Sequence, residues 1–142
     1  MAGRLIILCG LPGSGKTTLA VRLSAEFGAI RLDADEWLLG LGFGLFDEAA
    51  RERVERLQWD LARKLLARDQ IVVIEWGAWS RAERDRLRLE ARELGSAVEL
   101  RVLEAPLDEL LLRIRTRNRE DPPITRDDLE QWSDEFERPD AE

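Results

Sequence analysis

Residues Gly10 to Thr18 read GLPGSGKTT and follow the apolar run LIILC, and no other stretch restricts the fold as strongly. Gly10-x-x-x-x-Gly15-Lys16-Thr17 is a complete phosphate-loop pattern. The run before it suits a strand buried on both faces, and the segment after it suits an amphipathic helix. A strand, a tight glycine loop and a helix packing back on the sheet commit the chain to an α/β architecture. Each part of the loop also has a chemical task. Gly10, Gly13 and Gly15 let the backbone curl so that the amides around Ser14, Lys16, Thr17 and Thr18 point at phosphate oxygens. The helix N-terminus adds its dipole. Lys16 reaches the β- and γ-phosphates, and the Thr17 hydroxyl ligates Mg²⁺. The pattern predicts a bound nucleoside triphosphate, ATP or GTP, with Mg²⁺.

The rest of the chain continues the alternation. Leu19, Leu23 and Phe27 recur at helical spacing until Gly28 stops the helix. A second strand fits 29–32. Gly40, Gly42 and Gly44 then mark an irregular segment able to close over a ligand. Asp47 caps a helix with an apolar stripe of Val54, Leu57, Leu61 and Leu65. Ile71 to Ile74 is a third buried strand. Ser80 and Glu83 form a capping-box pattern for a helix ending near Gly95. Val98, Leu100 and Val102 alternate as a fourth strand. Pro106 opens a helix that runs to about Asn118, the polar stretch REDPP is a loop, and Thr125 with Asp128 starts a last helix carrying Leu129, Trp132 and Phe136. Strands alternating with helices predict a parallel sheet with crossover connections. The 142 residues suit one domain spanning 1–142.

Composition removes several chemistries. There is no histidine and a single cysteine, Cys9, so histidine bases, imidazole zinc sites and internal disulfides are out. Proton transfer must use carboxylates, lysine or water. Lys16 and Lys64 are the only lysines, which makes a lysine inside the glycine loop conspicuous. Net charge is −7, which argues against a long polynucleotide partner while leaving room for a local basic groove. No run is long enough for a membrane span and no secretory leader is recognisable, so a cytoplasmic protein is expected.

In open parallel sheets ligands bind beyond the carboxyl ends of the strands. Strand two ends in LDADEW, placing Asp33 and Asp35 near the expected γ-phosphate, and strand three ends in EWGAW with Glu75 at the same edge. A carboxylate there can orient an acceptor hydroxyl and take its proton. Asp33 or Glu75 can alternatively order water on Mg²⁺, and Glu75 can bind the acceptor. Trp37, Trp76 and Trp79 follow the same two strands and can wall an apolar acceptor site, with Arg81 or Arg84 in reach of it. Trp59 and Trp132 read as core. In RIRTRNRE, Arg113 and Arg117 are four apart and share a helix face, where they can meet charge on a transferring phosphoryl group. Arg117 and Asn118 can also touch the nucleotide base.

GLPGSGKTT, the acidic pair of LDADEW and IEWGAWSRAER together resemble the small P-loop kinases grouped with zeta toxins, chloramphenicol phosphotransferase and polynucleotide 5′-kinase domains. The resemblance implies a three-layer fold with a short parallel sheet, flanking helices and an arginine-bearing lid helix. It implies a general base after the second strand, matching Asp35 with Asp33 in support, and lid roles for Arg113 and Arg117. Glu75 and Gly77 match the glutamate and glycine of zeta toxins, where polynucleotide kinases have aspartate. The arginine that polynucleotide kinases carry just after the base is replaced here by Trp37-Leu38-Leu39. The expected activity is transfer of the ATP γ-phosphate to a hydroxyl of a small molecule, such as an antibiotic, a sugar or a sugar nucleotide. The alternatives are a polynucleotide 5′-hydroxyl kinase and a nucleotide hydrolase or switch without an acceptor.

Overall fold

A computed structural model describes residues 3–140. Its elements are β1 (Arg4–Cys9), α1 (Lys16–Phe27), β2 (Ile30–Leu32), α2 (Ala34–Leu41), α3 (Glu48–Leu66), β3 (Ile71–Gly77), α4 (Arg81–Glu93), β4 (Ala97–Val102), α5 (Leu107–Arg117) and α6 (Arg126–Glu135). The four strands are all parallel and lie in the order β2-β3-β1-β4. β1 is therefore an inner strand, and its run Leu5 to Cys9 is fully buried, as a strand covered on both faces must be.

Alternate residues of β1 feed opposite layers. Ile6 and Leu8 pack with Ala20 and Leu23 of α1. Leu5, Ile7 and Cys9 pack with Trp59 and Leu66 of α3, Leu87 of α4, Leu110 of α5 and Leu129 of α6. Each leucine or isoleucine among them contributes about 1.5–3 kcal/mol by burial. Helices on both faces of a parallel sheet make the three-layer α/β fold expected from the sequence. Gly28 ends α1 in the left-handed conformation, and Thr125 with Asp128 forms the reciprocal box that starts α6.

Two local expectations are corrected. Residues 34–41 form α2 rather than an irregular glycine segment; Asp33 caps it and Gly42 ends it. The apolar stripe of α3 is also rotated from the expected one. Leu57 and Leu61 are exposed, while Val54, Gln58, Trp59, Ala62 and Leu66 face inward, because the helix also packs on α2 through Ala34, Leu38, Ala50 and Val54.

Candidate active site

A cleft of about 760 Å³ opens at the carboxyl ends of β1, β2 and β3. Its floor is the loop between β1 and α1. Gly13 has φ +81°, and a Cβ there would come within 2.9 Å of the Leu110 carbonyl, so only glycine lets α5 approach the loop this closely. Lys16 donates from Nζ to the carbonyls of Gly10 (2.9 Å) and Leu11 (3.0 Å). Burial draws its pKa down to about 8; Asp35 opposes that shift, Arg117 adds to it, and Asp33 and Glu75 oppose it more weakly. A polyphosphate would supply the missing countercharge.

The acids stand across from the loop. Asp33 is buried and caps α2 by accepting the Asp35 amide on Oδ1 (3.0 Å). Burial and the neighbouring Asp35 raise its pKa, against the pull of that amide bond and of Arg119. Asp35, in the first turn of α2, meets Arg51 of α3 (2.5 Å) on Oδ1 and Arg119 (2.6 Å) on Oδ2. Arg51 also donates to the Leu45 carbonyl (2.8 Å), which fixes it at the α3 side of the cleft. Gln58 holds this corner from beneath. Fully buried, it donates to the Asp33 carbonyl (3.1 Å) and accepts from the Trp76 indole (2.6 Å), tying β2, α3 and β3 together.

Glu75 is buried at the end of β3 and receives Arg31 on both oxygens (3.0 and 3.3 Å). Burial raises its pKa, the Arg31 bonds lower it, and the Thr17 hydroxyl faces it as a further donor. The pairing of Thr17 with Glu75 beside the phosphate loop fits Mg²⁺, which keeps several waters and takes few protein oxygens. Among the described residues no three of Asp, Glu, His and Cys form a metal cage, and an ion carried in by phosphate oxygens needs none.

Beyond Asp35 the cleft is lined by Leu45, Phe46 and Trp76 with Glu48, Glu55 and Glu83. Burial pushes Glu55 up to about 7, helped by nearby Glu83 and opposed by Arg51. Burial raises Glu83 as well. On the other side stand the arginines. Arg113 donates to the Gly13 carbonyl (3.0 Å) and pairs with Glu109. Arg117 pairs with Glu120 (3.3 Å).

The cleft thus brings together Gly10, Gly13, Gly15, Lys16, Thr17, Thr18, Asp33, Asp35, Glu75, Trp76, Trp79, Arg113 and Arg117. Other expected residues lie elsewhere. Trp37 packs from α2 against the apolar core instead of lining the cleft. Arg81, at the exposed start of α4, pairs with Asp140. Arg84 is buried and donates to the Ala78 carbonyl (2.8 Å). Asn118 is the left-handed C-cap of α5 and is outside the cleft lining. The Ser14 side chain faces a separate 200 Å³ hollow, and its amide bonds the Leu11 carbonyl (3.2 Å). Trp132, expected in the core, reaches the cleft wall and packs against Trp79 with ring centroids 6.0 Å apart. Sequence reasoning missed Arg51, Gln58, Arg119 and Glu120; the only signal available was that Arg119 continues the arginine run of α5.

Comparison with known proteins agrees with this geometry. The family described as the AAA domain matches residues 5–139. No curated protein matches the chain. Among solved structures it is similar to a chain in the Pnkp1/Rnl/Hen1 RNA repair complex, with 23% identity and a TM-score of 0.78 over 95% of this chain and 44% of that one. It is similar to a gluconokinase from Sinorhizobium meliloti 1021, with 20% identity and a TM-score of 0.64 over 99% and 78% of the two chains. It is also similar to the Mycobacterium tuberculosis APS kinase CysC, solved with AMPPNP and APS, with 25% identity and a TM-score of 0.63 over 79% and 68%. The chain spans less than half the length of the repair-complex chain it matches. These likenesses give a P-loop kinase-like, nucleotide-binding fold. No helix among the described residues is long and apolar enough to cross a membrane.

Proposed function

The chain belongs to the AAA domain family, and we propose that within it this protein is an ATP-dependent phosphotransferase acting on a hydroxyl of a small molecule. The observation that carries this reading is the meeting of a complete phosphate loop and a pair of aspartates across one cleft. The triphosphate lies along the loop amides with Lys16 on its terminal groups. Arg113 and Arg117 border the same cleft and exchange their acidic partners for equatorial oxygens of the γ-phosphoryl group. Mg²⁺, when bound, neutralises phosphate charge, and Thr17 with Glu75 would hold it and its water. Asp35, kept in place by Arg51, accepts the proton of the acceptor hydroxyl. Asp33 stays as the cap that aims the first turn of α2 at the cleft.

The acceptor end supports a small molecule over a nucleic acid. Glu48, Glu55 and Glu83 line it and repel a polyanion to the extent that they are ionised, and Arg51 is already committed to Asp35. Trp76, Leu45 and Phe46 offer apolar contact to a ring. A neutral or cationic hydroxyl compound, such as a sugar or an antibiotic, fits that lining best. The cytoplasm, where ATP is available, is the expected site of action.

The test is transfer of radiolabelled γ-phosphate to a panel of sugars, amino sugars, hydroxylated antibiotics and a 5′-hydroxyl oligonucleotide. The wild type should label a small molecule. Asp35→Asn should lower that transfer by about 10²- to 10⁴-fold while ATP affinity holds. Label released only as inorganic phosphate, whatever acceptor is present, would make the protein a hydrolase. Label on the oligonucleotide alone would make it a polynucleotide kinase.

A further inference from the structure

The two edges of the sheet differ in length. β2 closes one with three residues, Ile30–Leu32. β4 closes the other with six, Ala97–Val102, paired to β1 along its whole length without a bulge. That ladder fixes which way each β4 backbone group points. The amides of Ala97 and Leu103 bond the carbonyls of Gly3 and Cys9, so by alternation Glu99 and Arg101 also face β1. Val98, Leu100 and Val102 therefore turn their N–H and C=O groups away from the sheet. Among the described residues, none of these three amides meets a backbone acceptor in a further strand or loop.

An open edge of this length invites another strand, and proteins usually blunt it with charge. β4 carries such charges. Glu99 accepts from Arg101 at 2.9 Å and pairs with Arg4, and these side chains stand partly exposed on one face. On the other face Val98 and Leu100 are only partly buried against the core, and Val102 is 43% exposed. Against most strands the charges go unmatched. Against β4 itself they match. In an antiparallel pair centred on Leu100, the two Leu100 residues meet, Val98 of each copy faces Val102 of the other, and Glu99 of each faces Arg101 of the other.

The backbone selects the same register. Val98, Leu100 and Val102 carry the outward groups, and here they fall opposite one another as hydrogen-bonded pairs that exchange both bonds. Glu99 and Arg101 fall on the non-bonded pairs, where opposed side chains come closest. A slip by one residue sets outward groups against groups already bonded to β1. A slip by two sets Glu99 against Glu99 or Arg101 against Arg101. We propose that β4 is a self-association edge, at which a second copy of this chain extends the sheet about a two-fold axis beside Leu100. Antiparallel pairing points the carboxyl ends of the two sheets in opposite directions, so the two clefts open at opposite ends of the joined sheet.

The test is sedimentation equilibrium on the whole chain. With rising concentration up to about 1 mM the mass should climb from 16.3 kDa toward twice that, with a dissociation constant of about 10–300 μM, as suits a small interface. Arg101→Glu and Glu99→Arg each set like charges across the junction, and each should weaken association about tenfold or more. Mixed in equal amounts, the two variants restore both opposite-charge contacts, and the mixture should associate about as tightly as the wild type. Amide exchange reads the same edge with no substitution. In wild-type protein at about 1 mM, the Val98, Leu100 and Val102 amides should exchange about 3- to 15-fold more slowly than in dilute protein, while those of Glu99 and Arg101 hold their rates. A wild type that stays at 16.3 kDa throughout overturns the proposal. Association that both variants retain overturns it too, placing the contact elsewhere, such as the exposed Leu57 and Leu61 of α3. A variant mixture that stays monomeric overturns the register. If either variant fails to fold, exchange decides: rates at the three outward amides that ignore concentration overturn the proposal.

Discussion

Raising the pH from 7 to 9 should switch the phosphate loop off through one group. Lys16 has a pKa of about 8 in the empty cleft, against 10.5 ordinarily. A bound triphosphate places negative charge on the ammonium and raises that value again. Binding of the protonated form then takes up a proton whenever the free lysine is neutral. At pH 8 about half of the free protein carries the charge, and at pH 9 about one molecule in eleven does, so ATP affinity should fall about tenfold between pH 7 and pH 9. The chain has no histidine and no tyrosine, Glu55, at about 7, is ionised through most of the window, and a Lys16→Arg comparison isolates the lysine from whatever else titrates there. Stability should move the opposite way. With the folded pKa below the unfolded one, the unfolded chain holds more protons between pH 8 and 10.5, so the Lys16 contribution to nucleotide-free stability rises with pH there. Calorimetric ATP titrations at a series of pH values, paired with nucleotide-free melts, measure both trends. Lys16→Arg, charged throughout, should flatten the affinity profile. A wild-type affinity constant from pH 7 to 9.5 would refute the reasoning.

Gln58→Leu should remove two buried hydrogen bonds, leaving the Trp76 indole without its partner and the Asp33 carbonyl with only the long bond from the Trp37 amide, and so destabilise the fold by about 2–5 kcal/mol. In a chain of this size that is a fall of about 6–15 °C in melting temperature, read by circular dichroism, and a change under 2 °C would mean the network contributes little. Arg117→Ala should reduce kcat for transfer by about 10³-fold with ATP affinity changed less than tenfold, because its charge is wanted most as the phosphoryl group moves. Single-turnover transfer and direct ATP titration separate those two effects.

Much of this architecture was legible because the deciding signals are local. The LIILC run, the glycine loop and the caps at Gly28, Ser80 and Thr125 each act within a few residues, and each stands where the sequence put it. The aspartates were legible as a pair because they follow a strand directly. Helix α2 was not, since three glycines within five residues outweighed the Asp33 cap. The inward face of α3 was misjudged because a fully buried glutamine and an alanine take positions that a hydrophobic stripe assigns to Leu57 and Leu61. The pairs that shape the cleft are invisible to periodicity. Asp35 meets Arg119 across 84 residues, and Arg31 meets Glu75 across 44. Trp79 differs again: its neighbours Gly77 and Ala78 signal a turn, but the carbonyl that the turn aims at lies 69 residues away.

The cations around the phosphate loop are all engaged. Arg113 rests on Glu109, Arg117 on Glu120, Arg119 on Asp35, and Lys16 on two carbonyls. On the function proposed above, nucleotide entry would be an ion exchange, in which phosphate oxygens evict resident carboxylates, more than a neutralisation of waiting charge. Such an exchange is less sensitive to ionic strength than a count of four basic groups suggests.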